Sequence, residues 1–276
     1  MMLFGTQTMV LTEQGELPTL QELAGSHLRK VACGEGVYKE LRLVKHDDVS
    51  LLDMCMESGH HRIRVSQNCG GLEPVVLPPL QENSLREGAA IVALLDVIRM
   101  MGGRIWVEGQ DEKREIHVVT KHDLRLELAR QVNAAYGTSS TKLLNSLRLR
   151  GQASRWYATS ICDAHARTSL ETAFTYFHTV RKYLTSSSKL LNLPNTNELE
   201  RLATLAYMFG YSMVATRRPS YSLWGSQSVS LLFKPNACKR SETFYHRYDI
   251  DRGPTAAYAI DLDSPTIVAN GFLIQR

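Results

Sequence analysis

From Thr8 to Val76 the chain alternates short β-prone runs with turn residues, the pattern of half-buried strands. It predicts a strand over Thr8 to Thr12, a tight turn at Glu13-Gln14-Gly15-Glu16, and strands over Val37 to Val44 and His61 to Ser66. Pro18 opens a short helix, Thr19 to Leu23, that Gly25 ends. At Leu77-Pro78-Pro79 two consecutive prolines can continue neither element, so a boundary is expected there.

Beyond it the period changes. Leu85, Ala89, Val92, Leu95 and Ile98 recur at helical spacing, which predicts a helix over Ser84 to Met101 closed by Gly102-Gly103. Strands are expected over Arg104 to Glu108 and Glu115 to Thr120, then a helix from His122 to Tyr136 capped by Gly137. The spacing next predicts helices over Thr141 to Leu149 and Ser169 to Leu184, the latter ended by Thr185-Ser186-Ser187-Ser188. Asn195-Thr196-Asn197 caps a further helix, Glu198 to Phe209, stopped by Gly210. Strands are expected over Ser212 to Thr216, Tyr221 to Trp224, Ser228 to Lys234, and again in the tail, Ala257 to Ile274. Two segments, starting near Ser84 and Glu198, thus share one scheme of helix, glycine, strand, turn and strand.

With 276 residues, 43% hydrophobic and 22% charged, the chain can bury one large core or two smaller ones and is not a disordered sequence. A net charge of +4 allows a nucleic-acid or acidic-protein partner without demanding one. The five cysteines are widely spaced with no C-x-x-C pair, which argues against a disulfide scaffold and a zinc knuckle. Met1 to Val10 lacks the basic and apolar regions of a secretory signal. The longest apolar stretch, Ala89 to Met101, contains Asp96 and Arg99 and is too short to span a bilayer. A cytoplasmic, reducing setting is expected.

Phe4-Gly5-Thr6-Gln7-Thr8-Met9-Val10-Leu11-Thr12-Glu13-Gln14-Gly15, followed by Leu20-Gln21-Glu22-Leu23, resembles the opening block of an intein. Ala257-Tyr258-Ala259-Ile260-Asp261-Leu262 and Thr266-Ile267-Val268-Ala269-Asn270-Gly271-Phe272-Leu273-Ile274 resemble the closing blocks of that family. Ser58 to Ser66 is similar to the strand before its internal T-x-x-H block. Between the ends, Ala89 to Asp96 with Gly102-Gly103-Arg104-Ile105-Trp106-Val107, and then Ile116 to Gly137, resemble a LAGLIDADG homing-endonuclease unit, with Leu202 to Val214 as a second copy. The resemblance implies an α+β fold. A β-rich horseshoe would form from residues 1–78 and 250–276, and an α+β insert would occupy 79–249.

Splicing needs a first-position thiol or hydroxyl, a histidine to assist the acyl shift, and a terminal asparagine that cyclises. Aligned on Thr8, the first position falls on Leu3, and aligned on Thr6 it falls on Met1. The T-x-x-H block falls on Ser66-Gln67-Asn68-Cys69, and the last two positions are Gln275 and Arg276. Only Met1 and Met2 precede the opening block on the first alignment, so a free-standing, non-splicing chain is expected. The nuclease motif would need a carboxylate beside its glycine to hold a divalent ion. Gly102 and Phe209 stand at those places, and Asp96 lies more than a turn too early.

No catalytic residue, metal ligand or cofactor is therefore expected. His60-His61 with His46 suits a solvated surface better than a metal, since neighbours on a strand face opposite ways. Cys69 suits packing better than thiol chemistry. The candidates for binding are basic and aromatic: Lys142, Arg148, Arg150, Arg155 and Trp156, then Arg217 and Arg218, with Lys239, Arg240 and Arg247 later. Arginine beside an aromatic ring can grip phosphate and stack on bases. Tyr211, Tyr221, Trp224, Phe233, Phe244, Tyr245 and Tyr248 supply core and possible interface anchors. A protein partner is the leading expectation and DNA the alternative.

Overall fold

The computed structural model describes residues 2–27, 29–56, 62–66, 72–75, 77, 87–109, 115–137, 140–143, 146–150, 170–185, 188, 190–192, 196–218, 228–235, 245–248 and 254–275. It is a mixed α+β fold. The elements are β1 (Leu3–Gly5), α1 (Leu20–Ala24), β2 (Arg29–Gly34), β3 (Val37–Val49), β4 (Leu52–Met56), β5 (Arg62–Val65), β6 (Leu72–Pro74), α2 (Glu87–Met100), β7 (Arg104–Glu108), β8 (Glu115–Val119) and α3 (His122–Tyr136). They continue with β9 (Ser140–Leu143), β10 (Ser146–Arg150), α4 (Leu170–Tyr183), α5 (Thr196–Met208), β11 (Tyr211–Arg218), β12 (Ser228–Pro235), β13 (Tyr245–Tyr248), β14 (Thr255–Asp261), β15 (Thr266–Ala269) and β16 (Phe272–Gln275).

The two ends of the chain share one antiparallel sheet, ordered β13-β4-β5-β1-β14-β3-β2. In it Phe4 pairs with Tyr258 on one side and with Val65 on the other. A smaller sheet, β15-β16-β6, closes against it. Its hairpin turns on Asn270 and Gly271, whose φ values of 48° and 78° are the positive pair that a two-residue turn between twisted strands requires. Thr8 to Thr12 is not a continuous strand. Met9, Val10 and Thr12 each bridge to a different segment, through Thr19, Ala269 and Val31, so no single ladder forms. Helix α1 runs one residue later than expected, because Thr19 is its cap, in a reciprocal capping box with Glu22.

The central part begins with helix, strand, strand, helix, strand, strand, from α2 to β10. Its sheet, β7-β8-β10-β9, alternates in the usual way: Ile116, Val118, Leu147 and Leu149 pack under α2 and α3 with Ile91, Leu95, Leu128 and Val132. Residues 140–143 and 146–150 are thus strands and not the expected helix over Thr141 to Leu149. Leu147 and Leu149 reach the core by pairing with Val118 and Ile116, a tertiary gain that overrides local spacing. Tyr221 to Trp224 lies outside the described residues.

Cores run across residue 78. One joins Leu11, Leu17 and Ala32 to Val92, Phe177, Leu202 and Val268, and another packs Tyr207 of α5 with Phe4, Tyr258 and Phe272. Strand β13 also pairs with β4 of the large sheet. Among the described residues no helix is long and apolar enough to cross a membrane.

Candidate functional site

A cleft opens where β1, β5, α5 and the β15–β16 turn meet, lined by Gly5 to Thr8, Arg62, Arg64, Glu200 and Asn270 among others. Arg62 and Arg64 flank Ile63 on β5, so strand alternation turns both guanidinium groups to one face while Ile63 enters the core. Asp53 of β4, 3% exposed, accepts from Arg62 Nη1 and from Arg64 Nε, each at 2.9 Å. Glu200 of α5 receives Arg62 Nη2 on the other side and lies 3.9 Å from Arg64 Nη2. One buried and one half-buried cation therefore meet two carboxylates. Such a network is costly to open, because each lost partner leaves an uncompensated charge.

The next residue on α5, Arg201, donates from Nη2 to Gln7 Oε1 at 2.9 Å, tying the helix to the segment after β1. Asn270 joins three strands of chain. Its Nδ2 donates to the Arg62 carbonyl at 2.8 Å, and its Oδ1 accepts from Met9 N at 2.7 Å. Beside it Gly271 admits no side chain, since a Cβ there would stand 2.9 Å from Met208 Cγ. Leu3 is bound by its main chain to Ser66. Leu3 N donates to Ser66 Oγ and Ser66 N donates to Leu3 O, both at 2.9 Å.

Among the described residues, the basic residues singled out in the sequence fall on three sheets, Arg247 being on β13 of the large one. Lys142 of β9 pairs with Leu147 of β10, and Arg148 and Arg150 of β10 pair with His117 and Glu115 of β8, so these three share one sheet. Arg217 and Arg218 lie on β11, paired with Val229 and Ser228 of β12 in a separate two-stranded sheet. Arg155 and Trp156 lie outside the described residues, as do Cys69, His60, His61, Lys239 and Arg240. Arg148 is two-thirds buried, its Nε 3.1 Å from Glu115 Oε2. On the same sheet the Trp106 ring stacks on His117 with centroids 5.1 Å apart, and His117 Nε2 stands 3.2 Å from Glu108. A hydrogen bond from Trp106 Nε1, and then the nearby His117, hold the Glu108 carboxyl below its ordinary range.

Asp96 has a packing role. It is buried on α2, accepts from the Tyr176 hydroxyl at 2.7 Å and pairs with Arg99 at 3.1 Å, joining α2 to α4. Burial pushes its carboxyl above the ordinary range.

Sequence reasoning missed Asp53, Arg62, Glu200 and Arg201. The one local signal was the Arg-Ile-Arg alternation on β5; the carboxylates come from positions 9 and 138 residues away from Arg62. No protein-family model matches this sequence, and no curated protein matches it.

Proposed function

We propose that this chain is a splicing-inactive relative of the inteins, carrying an insert of LAGLIDADG-like descent, that works by binding another protein in a bacterial cell, whether encoded by the host or by a phage. It needs no cofactor for this. The observation that carries the proposal is the locking of Leu3 onto Ser66. At the two positions resembling the nucleophile and the first residue of the T-x-x-H block, Leu3 N donates to the Ser66 hydroxyl and Ser66 N donates to the Leu3 carbonyl, and the first of these residues offers only an alkyl side chain. An alkyl group has no lone pair with which to attack a carbonyl. The Asp53–Arg62–Glu200 network beside it ties the insert's helix α5 to the β domain.

Support for the ancestry comes from the pairing of β1 with β14, which joins the two ends in one sheet. The order of elements from α2 to β10 supports the insert. DNA binding is the alternative. It is disfavoured by the Glu115 carboxylate already paired with Arg148, which competes with a phosphate for that cation.

Affinity capture from the native host tests the choice. The expected result is a protein partner retained after nuclease treatment and unaffected by changing Arg148 and Arg150 to alanine. Retention of DNA that falls steeply with salt, and is lost in those variants, would overturn it in favour of the alternative.

A further inference from the structure

Strand β7 is an edge. It pairs with β8 in unbroken register from Arg104 to Glu108, and among the described residues nothing pairs with its other side. Trp106 is 40% exposed and Val107 41%. Natural edges are guarded against further pairing by charged side chains, lysine above all, and by proline, bulges or a covering segment. The five residues Arg104-Ile105-Trp106-Val107-Glu108 hold no proline or lysine, their ladder has no bulge, and their only charges are one of each sign at the two ends.

This short strand is also its own complement. Turned end for end, it sets arginine against glutamate, isoleucine against valine, and tryptophan against tryptophan. Opposed residues in an antiparallel pair must either both turn their hydrogen-bonding groups toward the partner strand or both turn them away. They do so here, because each opposed pair occupies equivalent positions in the alternation.

We propose that β7 pairs antiparallel with β7 of a second copy of this chain, about a two-fold axis at Trp106, merging two four-stranded sheets into one of eight. Arg104 then lies opposite Glu108 of the second copy at both ends of the ladder. Ile105 lies opposite Val107, and the two Trp106 rings meet at the axis, each backed by its own His117. Arg104, Trp106 and Glu108 share one face of the sheet, so both charge pairs flank the aromatic pair. Each such cross-strand pair favours the dimer, and the isologous geometry closes at two copies. Shifting the register by two residues would bring Trp106 against a charged residue and separate the ion pairs, so the sequence selects one alignment. The inference is independent of which other protein the chain binds.

Sedimentation equilibrium over a dilution series tests it, using the full chain. The wild type is expected to show a reversible monomer–dimer equilibrium. Arg104→Glu and Glu108→Arg, each alone, place like charges opposite one another twice, and the dimer dissociation constant should rise about tenfold or more. Mixing the two single variants, or combining the changes in one chain, restores opposite charges at both ends and should restore association. Circular dichroism establishes that each variant is folded. A wild type that is monomeric at every concentration would overturn the proposal, as would single variants that dimerise like the wild type. So would a folded double variant and a mixture that both stay monomeric.

Discussion

Asn270 grips Met9 from two sides: its main-chain N–H donates to the Met9 carbonyl at 2.9 Å, and its side-chain Oδ1 accepts from Met9 N at 2.7 Å. The two residues are 261 positions apart. With the third bond, to the Arg62 carbonyl, this one side chain holds the closing hairpin against both the opening segment and β5. Asparagine suits the place because it tolerates the positive φ and carries both a donor and an acceptor.

Replacing Asn270 by glycine keeps the turn and removes the two side-chain bonds, at a cost of about 2 kcal/mol. Asn270→Ala adds left-handed strain, for a total of about 3 kcal/mol. Thermal or denaturant unfolding of the two variants separates the contributions. Equal loss in both would mean that backbone strain contributes nothing.

Asp53 is the hub of the buried ion network, so Asp53→Ala should be the more damaging change. It removes the carboxylate that Arg62 and Arg64 share, and a loss of about 3–5 kcal/mol is expected. Glu200→Gln should cost less, because Arg62 keeps Asp53. Urea denaturation checks the order; a Glu200→Gln variant less stable than Asp53→Ala would contradict it.

The elements were legible wherever the deciding forces are local. For α3, apolar spacing and a following glycine mark both ends, and Gly137 takes a φ of 71° that suits it to a cap. Strands β7 and β8 are likewise bounded by glycine and polar residues. The segment from Ser140 to Arg150 was illegible for the opposite reason. Leu143, Leu144 and Leu147 sit at helical spacing, and only the presence of β8 beside Leu147 makes a strand the better solution for β10. The candidate site was hidden in the same way. Nothing near Arg62 in the sequence announces a carboxylate from α5, and a lone Glu-Arg pair on an amphipathic helix reads as solvated surface.

Acid should weaken the junction between α3 and α4. Hydrogen bonds from Arg130, and then from Gln131 and Tyr183, outweigh partial burial and hold the Glu127 carboxyl at about 2, against an ordinary value of 4.5. Its folded-state affinity for a proton is lowered, so its contribution is complete above about pH 4.5 and is lost as pH falls toward 2. Glu127→Gln should flatten the stability profile in that window, as measured by unfolding at successive pH values.

At the alkaline end the partner behaves in the opposite sense. Burial, and then the hydrogen bond it donates to Glu127, raise the Tyr183 hydroxyl to about 12 from an ordinary 10. The folded chain disfavours the phenolate, so stability is full below pH 10 and falls as pH rises toward 12. Ultraviolet difference titration against Tyr183→Phe should reveal one late-titrating tyrosine; loss of a tyrosine titrating near 10 would contradict the assignment.

Intact-mass spectrometry of the purified chain after days of incubation with and without a small thiol tests the main proposal most directly. One unchanged mass is expected under both conditions, since the Leu3 side chain has no atom able to attack the preceding carbonyl. A cleaved fragment, or a shortened chain rejoined around a lost segment, would contradict it.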